Sequence, residues 1–210
     1  MARTIHSIVE GDGEVEAVAL LLRKFTARVN RFDIQVGRPI NANGRTNILK
    51  PNGLERFCEL VRKQADCVGL LILLDTERED VACPPALASS LTDRVRTLTL
   101  PFPVAVVCAV CEYESWFLHN LDRIAPDFDL SEGVYEGDPE AECNAKGWLT
   151  ARMPPGKIYK ETIDQSRMTD RIDMDSTRAR SRSFRRFAHA VDELLAAVDQ
   201  GISLVTPSLA

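Results

Sequence analysis

The run Val68-Gly69-Leu70-Leu71-Ile72-Leu73-Leu74 stops abruptly at Asp75-Thr76-Glu77-Arg78-Glu79-Asp80, and this junction constrains the fold more than any other part of the chain. A short continuous apolar run offers no polar face to water. As a strand it must be covered on both sides, which is the condition of a central strand in a parallel sheet. Acids placed directly after it then mark the C-terminal edge of the sheet, where open α/β folds hold their ligands.

The flanking segments supply the rest of such a fold. Residues 4–9 are β-branched and apolar, reading as a strand that turns at Glu10-Gly11-Asp12-Gly13-Glu14. Val15, Val18, Leu21, Leu22 and Phe25 recur at helical spacing over residues 14–29. Residues 32–36 alternate as a second strand, residues 37–53 read as loop, and residues 54–65 as an amphipathic helix. Pro84-Pro85 open a helix over 86–98, proline being favoured in a first turn. Residues 103–110 form a fourth strand, followed by a helix that ends before Pro126. Residues 126–156 have no period and read as a long loop region, and residues 158–168 and 175–198 as C-terminal helices. The last of these carries the stripe Phe184, Phe187, Val191 and Leu194 behind an N-cap at Ser181 or Ser183. The expected architecture is α/β: a central, mostly parallel sheet of about four strands flanked by helices. Residues 1–125 form its core, and the loop-rich, helical segment 126–210 packs on it as part of one structural domain.

Composition excludes several classes. Hydrophobic residues at 45% and charged residues at 27% are ordinary for a globular protein rather than a disordered one. No stretch approaches the roughly 20 apolar residues of a membrane span. The N-terminus shows no signal-peptide pattern, so a cytoplasmic protein is expected. Cys58, Cys67, Cys83, Cys108, Cys111 and Cys143 are then expected to be reduced thiols filling apolar space. Cys108 and Cys111, three apart on a strand, face opposite sides and cannot share a zinc ion. The net charge of −5 is uneven, because residues 167–186 carry seven arginines against three aspartates.

Acids follow three predicted strands: Glu10 the first, Asp75 and Glu77 the third, Glu112 and Glu114 the fourth. In a parallel sheet those ends share one edge, so distant carboxylates can converge. Crowded carboxylates repel one another unless a cation neutralises them, and hard oxygen donors without His or Cys favour Mg²⁺ or Mn²⁺. The matching chemistry is phosphoryl transfer. Glu14 and Glu16 lie in a first helical turn, where the helix dipole already accounts for acids. Gly11-Asp12-Gly13-Glu14 lacks the Lys-Ser/Thr of a phosphate-binding loop, and its glycines read as a sharp turn beside Glu10.

Val9-Glu10-Gly11 closing a first strand and Asp75-Thr76-Glu77 closing a later one resemble the Toprim domain of topoisomerases, primases and overcoming-lysogenization-defect nucleases. Together with Cys111-Glu112-Tyr113-Glu114-Ser115-Trp116-Phe117 and the tail from Tyr159-Lys160 to Ser183-Phe184-Arg185-Arg186-Phe187, they look most like a bacterial Toprim-like family known as a domain of unknown function. The resemblance implies that Glu10 is a general acid/base or metal-linked residue, and that Asp75 and Glu77 are a metal pair. Glu77 stands where the superfamily has a second Asp. Glu112 or Glu114 would be a further ligand. It also implies a neighbouring ATPase of the ABC or structural-maintenance type, within antiphage defence.

The leading expectation is therefore a Mg²⁺- or Mn²⁺-dependent nuclease or other phosphodiester-processing enzyme. Glu10, Asp75 and Glu77 would be catalytic and metal-binding, with Glu112 and Glu114 as added ligands. Lys157, Lys160, Arg182, Arg185 and Arg186 would contact the phosphate backbone of DNA or RNA. The competing account of the arginines is a solvated face paired with Asp170, Asp173 and Asp175. Two other functions fit parts of the pattern: a non-catalytic module that docks on the ATPase, and a phospho-acceptor domain using Asp75. The sequence leaves self-association open.

Overall fold

The computed structural model describes residues 2–76, 84–131, 133, 135–141 and 143–207. Glu77 and Cys83 lie outside the described residues. Among the described residues six strands form one sheet: β1 (Arg3–Val9), β2 (Ile34–Val36), β3 (Ile40–Asn41), β4 (Cys67–Thr76), β5 (Val104–Val110) and β6 (Val205–Thr206). Their order is β2-β1-β4-β5-β6, with β3 also paired to β1, and every pairing is parallel.

The strand sequences dictate two cores. On β4, Leu71 and Leu73 enter one apolar cluster, while Leu70, Ile72 and Leu74 enter the other. Side chains alternate across a pleated strand, so an all-apolar run needs a layer on each face. One layer is α2 (Arg45–Leu49), α3 (Gly53–Arg62) and α4 (Pro84–Arg96). The other holds α1 (Asp12–Arg28), α5 (Ser115–Leu118), α6 (Leu121–Phe128), α7 (Ala145–Arg152), α8 (Ser166–Arg171), α9 (Met174–Arg180) and α10 (Arg182–Gln200). A π-helical turn, Glu161–Gln165, leads into α8.

Helix α10 illustrates the link from sequence to packing. Ser181 Oγ accepts from Phe184 N at 2.9 Å, capping the helix as Ser does at this position. Phe184, Phe187, Val191 and Leu194 are then buried against the sheet. Trp116 packs edge-on to Phe184 with ring centroids 5.1 Å apart and donates its Nε1–H to Ser183 Oγ at 2.7 Å. Each buried aromatic of this kind contributes about 1.5–3 kcal/mol from area alone, and the ring pairs add about 0.5–1.5 kcal/mol.

Several expectations are corrected. Among the described residues the sheet has six strands rather than about four, because β3 and β6 are two residues long and too short to show a period. The segment 37–53 is not plain loop, since it contains β3 and α2. Pro126 does not end the helix before it: the chain breaks at Asn120, and Pro126 lies inside α6. Asn120 is buried and turns the chain by using its amide elsewhere, donating to Trp116 O and Thr177 Oγ1 and accepting from Asp173 N. Residues 126–156 include α7, residues 158–168 are split between the π-helical turn and α8, and residues 175–198 form two helices separated by Ser181.

The cysteines are also corrected. Cys111 and Cys143 form a disulfide, whereas Cys58, Cys67 and Cys108 lie outside any disulfide. Both bonded residues have positive φ, +65° and +47°, so each ends its segment in a left-handed turn. The Cα atoms come within 4.7 Å, inside the range a disulfide requires. Among the described residues no helix is long and apolar enough to cross a membrane.

Candidate acidic site

The C-terminal edge of the sheet gathers acids from three directions. Glu10 follows β1 directly, Asp75 lies at the end of β4, and Glu112 and Glu114 follow β5. Glu14, in the first turn of α1, joins them. Its Oε2 accepts from Gly11 N at 2.7 Å, closing the turn through which the chain passes from strand to helix. The glycine at 13 is required here, because a Cβ would lie 2.1 Å from Gln165 Oε1 and 2.7 Å from Glu161 Cβ. The π-helical turn thus packs directly on the start of α1.

The electrostatics are those of crowded, desolvated acids. The Glu14 carboxyl is raised to about 8, by burial first, against the hydrogen bond from Gly11, and then by the charges of Glu10 and Glu114. Asp75 lies well above the usual carboxylate range from burial first, then from Glu14 and Glu114. One of its oxygens, Oδ1, accepts from Tyr113 N at 3.0 Å. Burial raises Glu114 to about 7 although Lys146 and a hydrogen bond from Tyr159 oppose it. The Tyr159 hydroxyl donates to Glu114 Oε1 at 2.9 Å, while Lys146 Nζ stands 3.8 Å from Glu114 Oε2 and 2.8 Å from Glu161 Oε1. Three carboxyls are thus raised together above the ordinary carboxylate range, and an arriving cation would oppose that rise.

Glu112 takes a different place. Its Oε2 accepts from Lys146 N at 2.9 Å, holding the first turn of α7. Glu10 is tied in through its backbone, Gly44 N donating to Glu10 O at 2.9 Å, and Asn41 Nδ2 donates to Asp12 Oδ1 at 2.6 Å. The Asn-rich loop therefore flanks the same edge. Among the described residues no group of three or more His, Cys, Asp or Glu side chains has metal-holding spacing.

Sequence reasoning missed Glu14, because the helix dipole already explained an acid there, and it missed Lys146, which lies in a stretch without period.

The basic residues divide by role. Lys157 and Lys160 are exposed, and among the described residues neither ammonium has an ion pair. Arg185 Nη2 donates to Ala179 O at 2.8 Å and Nε to Arg178 O at 3.1 Å, satisfying carbonyls at the end of α9. Arg182 lies 3.6 Å from Asp138 and 3.8 Å from Glu140. Arg186 is exposed and has no ion pair among the described residues. Asp170 pairs with Arg171, Asp173 with Arg123 and Asp175 with Arg28.

The family described as a domain of unknown function, DUF4276, matches residues 9–192, which include Glu10, Glu14, Asp75, Glu112, Glu114 and Lys146. No curated protein and no solved structure matches the chain.

Proposed function

We propose that this chain, which belongs to the DUF4276 family, is a Toprim-like, Mg²⁺-dependent phosphodiester-processing protein, a nuclease acting within an antiphage system beside an ATPase. The observation that carries the reading is the meeting of Glu10, Glu14, Asp75 and Glu114 at one sheet edge, where burial above all raises three of them above the ordinary carboxylate range. Structural acids seldom crowd in this way without a cation.

The donor set fits magnesium by its chemistry. Every candidate is a hard carboxylate oxygen, and Mg²⁺ is commonly held through one or two carboxylates, with water and substrate phosphate completing its shell. A bound divalent ion would supply charge stabilisation to the attacking and leaving oxygens of a phosphodiester. Asp75 and Glu114 would hold it, with Glu77 as the further acid of the pair. Glu14 and Glu10 would orient and deprotonate water beside it, and Tyr113 N and Tyr159 would fix the carboxylates. The direct test is incubation of the purified protein with plasmid, single-stranded DNA and tRNA, with EDTA, Mg²⁺ or Mn²⁺, alone and with its neighbouring ATPase. Cleavage confined to the metal arms supports the reading, and none in any arm sinks it.

A second reading, a non-catalytic module that docks on the ATPase, is favoured by one observation: the described acids do not by themselves make a three-ligand cluster. Stable association with the ATPase, with no cleavage, would select it.

For nucleic-acid contact, Lys157, Lys160 and Arg186 are the cations to test. Converting all three to Gln is expected to weaken DNA binding and to reduce the slope of log K against log salt by about one for each phosphate left without its cation. Arg185→Gln should instead lower thermal stability and leave the slope alone, since its guanidinium serves α9. An unchanged slope in the triple variant, measured by fluorescence anisotropy, would move the contact to Arg38, Arg45 and Lys50.

A further inference from the structure

Lys146 enters the acidic site from α7 and is placed there with care. Its backbone N–H is held by Glu112 Oε2 at 2.9 Å, and the start of α7 lies just beyond Cys143, which is bonded to Cys111 at the end of β5. The side chain therefore cannot wander far from the acids. Its ammonium stands between two carboxylates of unlike burial: Glu114, 1% exposed, at 3.8 Å, and Glu161, 46% exposed, at 2.8 Å. Glu114 Oε2 is buried and accepts no hydrogen bond among the described residues. A desolvated carboxylate oxygen with an open acceptor position calls for a cation closer than 3.8 Å. Lys146 is also the cation whose charge opposes the acids at both Asp75 and Glu114.

We propose that Lys146 is the resident counter-cation of the acid cluster, so that a divalent ion entering beside Glu114 and Asp75 competes with its ammonium and leaves it only the contact it already makes with Glu161, and Lys146 thereby sets the affinity for that ion. This rests on the reading that the site takes a divalent cation. Two cations cannot both sit against the same desolvated carboxylates without repelling each other. The path outward exists, because Lys146 is 36% exposed and its exposed partner Glu161 already holds Nζ in hydrogen-bond range. Glu161 is then the resting place of the displaced charge, and the pair works as a gate on metal loading rather than as a ligand set.

The test measures metal binding directly, on the full chain without nucleic acid, by isothermal titration with Mg²⁺ and by the loss of free-ion Mn²⁺ signal in electron paramagnetic resonance. Lys146→Gln removes the competitor and should tighten both ions by about tenfold, a coupling of ordinary size between two sites. Lys146→Arg keeps the charge and should bind like the parent. Glu161→Gln removes the resting place and should weaken binding, which gives an opposite sign from a second variant should Lys146→Gln fold poorly. Binding that is unchanged or weaker in Lys146→Gln overturns the inference while leaving the metal reading in place. Failure of the parent and every variant to bind either ion at millimolar concentration overturns both.

Discussion

Asp75→Asn is expected to raise the melting temperature of the metal-free protein at pH 8 while abolishing its Mg²⁺-dependent cleavage. The amide keeps an oxygen to accept from Tyr113 N and so preserves the local geometry. What disappears is a carboxyl whose ionisation is opposed first by burial and then by Glu14, Glu114 and Glu10. Relief equivalent to about one pKa unit is about 1.4 kcal/mol, or about 3–5 °C for a chain of this size. The pH dependence follows from the directions of the shifts. Glu14 and Glu114 are raised from 4.5 to about 8 and about 7, so the folded form binds more protons than the unfolded one between those values. Metal-free stability is therefore full below about pH 4.5 for these groups and is lost as the pH rises through 7 to 8. Asp75→Asn should flatten that loss, and saturating Mg²⁺ should flatten it in the parent. Differential scanning calorimetry from about pH 5 to about 8.5 checks both. A variant that melts lower than the parent at pH 8 would assign Asp75 a structural role instead.

The second large effect is expected at Glu140, whose carboxylate serves the start of α10. Its Oε1 accepts from Ser181 Oγ at 2.5 Å, Ser183 Oγ at 2.6 Å and Ser183 N at 2.9 Å, and Oε2 accepts from Arg182 N at 3.2 Å. The carboxylate thus satisfies the orphan donors that open α10. Burial pushes its carboxyl up, but the four donors outweigh burial and hold it below the ordinary value. Ser183 is in turn the partner of Trp116, so loss of the carboxylate reaches the aromatic core. Glu140→Ala should cost on the order of 3–5 kcal/mol, since it strands buried donors at about 1–3 kcal/mol apiece, and should lower the melting temperature by about 10 °C. Glu140→Gln keeps an acceptor and should fall between the two. Because the folded value is depressed, the contribution of Glu140 is present above about pH 4.5 and disappears as the pH falls below it. A Glu140→Ala melting temperature within about 2 °C of the parent would show that water replaces the carboxylate.

The central fold was readable because β4 and β5 are continuous apolar runs and α1 and α10 carry long stripes, patterns that local chemistry alone imposes. The two-residue strands β3 and β6 exist only through their neighbours, so no period marks them. The break at Asn120 is a tertiary event, its amide satisfied by Thr177 and Asp173 from distant parts of the chain. At the acidic edge, Glu10, Asp75 and Glu114 could be placed from strand ends. Glu14 was concealed by a second sufficient cause, the helix dipole. Lys146, Tyr159 and Glu140 belong to stretches whose side chains acquire meaning only once the helices are docked.

The disulfide adds a dependence that neither proton nor ligand supplies. Cys111 and Cys143 close a stretch of 32 residues, joining the strand end that bears Glu112 and Glu114 to the helix start that bears Lys146. In chain-entropy terms a loop of that length is worth about 3–4 kcal/mol. With the bond open, the start of α7 would be held to β5 through the Glu112 contact with Lys146 N and local packing. The acids and the ammonium beside them are therefore carried on two segments that one covalent bond ties together, a tie that reducing surroundings would open.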